Sequence, residues 1–323
     1  MALTLFAPHA AVLAAAVALD LVLGDPVYPL HPVRLIGKSL AAFENGLRRI
    51  HLDGYAGGVL LFLLLTVTWG AGLAAIAHFA YRWNYWLGWG VELYLVYSLL
   101  AMGDLLRHGW RVERAARRGD IAAARHAISF LVGRDTAPMD YAACRRAALE
   151  SLSENLTDGY ISALFWYALG GLPGLVLFKI VSTMDSMVGY KSERYLLFGW
   201  CGARLDDGMN WLPARLSWLL LSLSAWLVPG GSARQAWLVG WRQHAICPGP
   251  NSGWSEATLA GALRRRLVGP MWRNGVLATD RWLGLGTDAP AGETASDLPR
   301  GAVIVLIAGM IAAAMAVAAA VVR

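Results

Sequence analysis

Runs of about 20 apolar residues, long enough to cross a bilayer core as helix, occur at 3–23, 56–80, 86–106 and 301–322. A fifth run, 159–181, is interrupted by Gly170, Gly171, Pro173 and Gly174. That interruption is the pattern of a broken or re-entrant segment lining a cavity. A sixth run, 211–229, contains Pro213 and Arg215. The predicted fold is all-α: one polytopic membrane-embedded domain, 1–323, with four to six membrane segments, at least one of them broken or re-entrant.

Composition agrees. The chain is 57% hydrophobic and only 15% charged, against roughly 25% charged in soluble proteins. Many of its 15 Trp lie near the ends of apolar runs, as in an interfacial belt. The net charge of +6 forms no basic, stacking stripe apart from the membrane segments, so nucleic acid is not an expected partner. Nine Arg in 107–158 place that loop in the cytoplasm by the positive-inside rule. The side of 182–210 depends on whether 159–181 crosses; re-entry is expected, which puts 182–210 in the cytoplasm too. Cys144, Cys201 and Cys247 are too far apart for a CxxC pair, and neither a disulfide framework nor a zinc site is indicated. The N-terminus lacks a basic leader region and reads as a retained helix.

Within 107–158 a helical hairpin is expected, with Asp120 capping its first helix and Pro138 in the first turn of its second. Residues 230–300 form a second large polar loop, ending in a flexible linker at 284–300.

Chemistry concentrates in 179–211, where Lys179, Asp185, Lys191, Glu193, Arg194, Arg204, Asp206, Asp207 and Asn210 adjoin apolar segments. Charges beside a bilayer are costly unless paired, hydrated or liganded. A metal-bound anionic substrate would use them; a solvated, salt-bridged loop is the competing reading. Ser182, Asp185, Ser186 and Gly189 share a helical face that a phosphate–metal unit could approach, and Lys191 and Arg194 could neutralise phosphate. Glu150, Glu154 and Asp158, spaced i, i+4, i+8, share another face beside Asn155; a divalent cation would relieve their repulsion. The segment 24–34 is kept extended by Pro26, Pro29 and Pro32 and projects Asp25, His31 and Arg34. Residues 250–263 put Asn251 and Ser252 in a turn and Glu256 on the helix that follows. No P-loop, GxGxxG, HExxH or GxSxG motif is present.

LDLVLGDP (19–26), HPVRLIG (31–37), GRDT (133–136), ESLSENLTDG (150–159), DSMVGYKSERYLLFGW (185–200), ARLDD with NW and PAR (203–215), and NSGW followed by EA and LAGAL (251–263) together resemble the CobD/CbiB family of cobalamin-biosynthesis membrane proteins. The resemblance implies a multi-pass enzyme of the inner membrane, adenosylcobinamide-phosphate synthase. It would join adenosylcobyric acid to aminopropanol phosphate, or to aminopropanol, using ATP and Mg²⁺. Its implied partners are the corrinoid, the amine donor, the lipid bilayer and other membrane enzymes of the pathway. Carried onto this chain, Glu154, Asp158, Asp185 and Asp207 are candidate catalytic groups, and Glu154, Asp158, Asp185 and Asp206 candidate metal ligands. Lys179, Lys191 and Arg194 would hold phosphate, and Asn155, Asn210 and Asn251 substrate amides. Thr183, Ser186, His31 and Arg34 are further candidate substrate contacts. Trp200, Trp211 and Trp254 read as interfacial anchors rather than corrin platforms. The chain departs from the family at Ser182, where Asn is common, and at Cys247-Pro-Gly-Pro, where His-Pro-Ser-Pro is common. A non-enzymatic membrane regulator, akin to the related β-lactamase-regulatory membrane protein, is the alternative. A corrinoid transporter would need a polar path, for which Glu92, Asp104 and Arg215 are few and scattered.

Overall fold

The computed structural model describes residues 7–25, 28–284 and 289–323. Pro26, the first residues of the 3–23 run and 285–288 of the expected linker lie outside them. The first helices are α1 (Ala10–Leu23), α2 (Pro32–Arg49), α3 (Tyr55–Leu65), α4 (Gly72–Trp83) and α5 (Tyr85–Ser98). Next come α6 (Met102–Arg117), α7 (Ile121–Ser129), α8 (Tyr141–Asn155), α9 (Ser162–Val188) and α10 (Trp200–Met209). The last are α11 (Trp211–Leu227), α12 (Ala233–Gln243), α13 (Ser252–Leu263) and α14 (Asp297–Val322). Short strands β1 (Leu267–Val268), β2 (Met271–Arg273), β3 (Val276–Thr279) and β4 (Trp282–Leu283) pair as β1 with β4 and β2 with β3, both antiparallel.

The fold is that of a polytopic all-α membrane protein. Among the described residues, four helical stretches are long and apolar enough to cross a membrane: Tyr55–Trp83, Tyr85–Arg117, Tyr141–Val188 and Asp297–Val322. The expected 3–23 span is described only as α1, whose 14 residues reach about 21 Å, short of a hydrocarbon core of roughly 30 Å. The expected 211–229 span is α11, with 17 residues. Pro213 sits in its first turn, where a missing N–H costs little.

The chain gathers into two compact units. The first comprises residues 1–101, 162–210 and 313–323; the second comprises 102–161 and 211–312.

In the first unit, α2 buries Ile36, Leu40 and Leu47 along one stripe, the spacing of an amphipathic helix. The break expected near Gly170 is present. Gly170 (φ −131°, ψ 16°) and Gly171 (φ 57°, ψ −151°) leave helical geometry, and the positive φ favours glycine. Carbonyls released by such a break need donors; Arg323 donates to those of Ala168 (3.0 Å) and Leu169 (2.6 Å). The expected charged loop 182–210 is mostly helix. Nothing in 182–188 breaks α9, which runs to Val188, and α10 begins at Trp200. The two helices meet at glycines: a Cβ on Gly199 would lie 1.8 Å from the Val188 carbonyl oxygen, and one on Gly202 would lie 2.9 Å from Met184 Cβ.

In the second unit, Asp120 caps α7 as expected, accepting from Ala123 N at 2.9 Å. The next helix starts later than the Pro138 expectation, at Tyr141, because Asp140 supplies the cap through Ala143 N at 2.7 Å. The expected polar loop 230–300 holds α12, α13 and both hairpins. Every residue of α13 from Gly253 to Leu263 is buried, and α13 packs on α8, α11 and α12. Small residues allow this: a Cβ on Gly261 would lie 2.3 Å from the Gln235 carbonyl oxygen. Trp254 is therefore a core residue, not an interfacial anchor. It is 4% exposed and stacks on His244 with ring centroids 3.9 Å apart. Trp200 and Trp211 are exposed.

Gly199 has ordinary right-handed helical dihedrals, so Gly199→Ala tests the helix contact alone. It is expected to destabilise by about 1–3 kcal/mol, the cost of overpacking. Gly208→Ala on the same helix meets no atom within 4 Å and is expected to gain up to about 1 kcal/mol. Thermal melts of the detergent-purified variants check both.

Candidate active site

The close approach of α9 and α10 gathers carboxylates in the first unit. Asp185 is on the last turns of α9, and Asp206 and Asp207 are on α10. Asp206 is pushed up to about 7, first by burial, then by Asp185, with a smaller push from Asp207. One hydrogen bond opposes this: Asn210 Nδ2 donates to Asp206 Oδ2 at 2.9 Å. Asn210 is 1% exposed and is itself held by Ser162 Oγ, which donates to its Oδ1 at 2.5 Å. Its amide thus positions Asp206. Arg204 pairs with Asp207 at 3.3 Å on the exposed side, a contact of small energetic weight. Lys179 is buried one turn and a half earlier on α9. Gly189 closes the cluster, because a Cβ there would lie 2.2 Å from Asp185 Oδ1.

Other expected residues of this unit have local partners. Thr183 Oγ1 donates to the Lys179 carbonyl at 2.7 Å, and the Ser186 carbonyl accepts from Tyr190 OH at 2.8 Å. Lys191 is exposed. Arg194 pairs with Glu44 of α2 at 3.0 Å, while Arg48 donates to its carbonyl at 3.1 Å. His31, at the N-cap position of α2, is 3% exposed and lies 2.7 Å from Asp25. Arg34 is exposed on the first turn of α2. Glu92 is engaged structurally, accepting from Tyr81 OH (2.7 Å) and Tyr167 OH (2.8 Å) with His9 at 2.6 Å.

The second unit encloses a cavity of about 480 Å³. Glu150 and Glu154 of α8 line it as their shared face predicts, but Asp158 does not. The helix widens into a π turn at Leu156–Ile161, which changes the angular step and carries Asp158 off that face. Glu256 of α13 takes the third place. Glu150 is tied to Arg134 and to Val268 N (3.0 Å). Burial first, then Glu154 and Glu150, push Glu256 well above the usual carboxylate range. Cys247 Sγ donates to Glu256 Oε2 at 3.2 Å, and burial pushes that thiol up as well. Of the remaining candidates, Asn155 Nδ2 donates to Ser151 O (2.9 Å) and Oγ (3.1 Å) within its own helix. Asn251 is buried at the N-cap position of α13, with Arg215 Nη1 3.5 Å from its Oδ1.

The four expected metal ligands divide between the units: Asp185 and Asp206 in the first, Glu154 and Asp158 in the second. Among the described residues, no three His, Cys, Asp or Glu side chains converge to hold an ion by themselves.

The model of the CobD/CbiB protein family matches residues 13–305. The chain belongs to the CobD/CbiB family. It is 42% identical over 303 residues to the cobalamin biosynthesis protein CobD of Klebsiella pneumoniae, covering 92% of this chain and 93% of that one. It is 40% identical over 305 residues to the cobalamin biosynthesis protein CbiB of Salmonella typhi, covering 93% and 94%. No solved structure matches it. Residues of the second unit's cavity to which the sequence assigned no site role are Glu256, Arg134, Arg273 and Arg281. GRDT and the Glu256 motif were visible as family-like segments, but nothing in their spacing shows that they meet.

Asp206 ionises near 7 in the folded protein against an ordinary 3.8. The native state therefore holds an extra proton between those values, and stability falls as pH rises through that window. Between pH 5 and 8 the parent is expected to lose about 2–3 kcal/mol through this group. Asp206→Asn should flatten that slope in denaturation curves at pH 5, 6, 7 and 8. Equal slopes in the two proteins would show that Asp206 ionises normally.

Proposed function

We propose that this protein is an adenosylcobinamide-phosphate synthase of the cytoplasmic membrane, forming an amide between adenosylcobyric acid and aminopropanol phosphate at the expense of ATP. Its relatives carry the name of cobalamin biosynthesis proteins, and the observation that carries the chemical reading is the crowded acid cluster Asp185, Asp206 and Asp207. Half-buried carboxylates that repel one another favour a cation beside them. Mg²⁺ suits this donor set, since it binds hard oxygens and commonly takes one or two carboxylates plus substrate phosphates rather than an all-protein cage. Bound with ATP, it would neutralise phosphate charge.

The chemistry requires two displacements. A corrinoid carboxylate oxygen attacks the terminal phosphorus of ATP, the bond to the bridging oxygen breaks, and ADP leaves. The donor nitrogen then attacks the acyl carbon, the C–O bond to phosphate breaks, and inorganic phosphate leaves as the amide forms. Asp185 and Asp207 would hold the cation-bound polyphosphate. Asn210 orients Asp206, and Lys179 supplies positive charge on the same helix as Asp185. The transporter reading loses its residues: Glu92 is engaged as above, Asp104 pairs with His108 at 3.2 Å, and Arg215 donates to the Trp211 carbonyl at 2.6 Å.

Purified protein in detergent, given adenosylcobyric acid, aminopropanol phosphate and MgATP, should yield the amide and an equivalent of ADP. Asp185→Asn and Asp207→Asn should each lower kcat at least 100-fold with little change in melting temperature. Absence of product from the parent protein would overturn the reading and favour a non-enzymatic regulator.

A further inference from the structure

We propose that the cavity of the second unit binds the amine donor, with Glu256 accepting a proton from its ammonium and Arg273 and Arg281 holding a phosphate at its other end. The inference rests on the amide-forming reading and locates one of its substrates. The cavity's volume of about 480 Å³ falls in the range of small-molecule sites, roughly 300–1,000 Å³. It would take a short aminoalkyl phosphate and is far too small for a corrinoid.

The charges are sorted by element. Helices α8 and α13 contribute Glu154 and Glu256, while β2 and the segment after β3 contribute Arg273 and Arg281. Glu150 and Arg134 neutralise one another. Glu256 is 8% exposed, and among the described residues only the Cys247 thiol, a weak donor, is hydrogen-bonded to it. A carboxylate so buried calls for a cationic partner, and a primary ammonium offers three donors. The two arginines are only lightly used: Arg273 Nε donates to Gly133 O at 3.2 Å, and Arg281 Nη1 to Ile246 O at 3.3 Å. Their remaining N–H groups suit phosphate oxygens.

The hairpin carrying Arg273 is held in place. Asn274 and Gly275 form its turn with φ 53° and 74°, the geometry of a two-residue hairpin. Asp135 Oδ1 accepts from Asn274 N (3.1 Å) and its Oδ2 from Gly275 N (2.8 Å).

The amine must lose a proton before it can attack. The ammonium gives that proton to Glu256, the N–H bond breaks, and the freed lone pair becomes the nucleophile. Glu256, raised above the ordinary carboxylate range, is the better matched acceptor for it.

The test is equilibrium dialysis of radiolabelled 1-aminopropan-2-ol phosphate against the full-length protein in detergent, paired with steady-state kinetics. The parent should bind this compound at least tenfold more tightly than 1-aminopropan-2-ol or inorganic phosphate. Glu256→Gln and Arg281→Ala should each weaken binding about tenfold or more and raise KM for the donor, leaving KM for ATP unchanged. Arg281 is exposed, so its variant carries the test if Glu256→Gln fails to accumulate. Parent-like affinity and KM in the variants, with the parent making amide, would overturn the cavity assignment alone. Cavity-dependent binding without any amide product would overturn the reaction and leave the assignment standing. A parent that neither binds nor turns over would overturn both.

Discussion

The acid cluster of the first unit depends on two helices approaching more closely than side chains normally permit. Gly199 and Gly202 have no Cβ to hold α10 off α9, so backbone meets backbone at Val188 and Met184. Asp185 is thereby brought against Asp206 and Asp207, and both neighbours add to the cost that burial sets on ionising Asp206. The Asn210 amide, fixed by Ser162, offsets part of that cost. Such an arrangement works against stability unless a cation and its counter-anion occupy it, which is a common condition of catalytic sites.

The second unit solves a different problem with the same residue type. Helix α13 is buried on all sides, which its sequence allows through Gly253, Ala257, Ala260, Gly261 and Ala262. Once that helix is central, the one carboxylate it carries is buried with it. Glu256 is thus a consequence of packing as much as of chemistry, and the same is true of Cys247 beside it. Cys247 gives Glu256 only the weak hydrogen bond of a thiol. That leaves Glu256 dependent on an incoming ligand for its charge balance.

Much of this was legible in the sequence, and what was not has identifiable physical causes. Apolar run length reveals membrane helices because the bilayer imposes a length, and Gly170-Gly171 reveals the break because only glycine accepts the backbone there. Asp185 and its helical neighbours follow from the absence of a breaker before Gly189. By contrast, a single inserted residue in a π turn removes Asp158 from the Glu150–Glu154 face, and no propensity predicts it. The meeting of GRDT with the 271–279 hairpin depends on contacts almost 140 residues apart. The Asn274-Gly275 dipeptide is a hairpin signal inside 230–300, a segment whose polarity otherwise points to loop. Arg194 lies in the densest motif, and the fold supplies Glu44 of α2 as its partner, a pairing between segments 150 residues apart that no local pattern announces.

The central claim, that Asp185 and Asp207 receive a cation-bound polyphosphate, is tested most directly by electron paramagnetic resonance. Mn²⁺ can replace Mg²⁺ as the probe, titrated with ATP into purified protein in detergent. The account predicts that with ATP the parent gives a spectrum of protein-held Mn²⁺ distinct from that of Mn²⁺–ATP in buffer, and that the Asp185→Asn, Asp207→Asn double variant gives only the buffer spectrum while melting within a few degrees of the parent. Unchanged Mn²⁺–ATP binding by a folded double variant would contradict it.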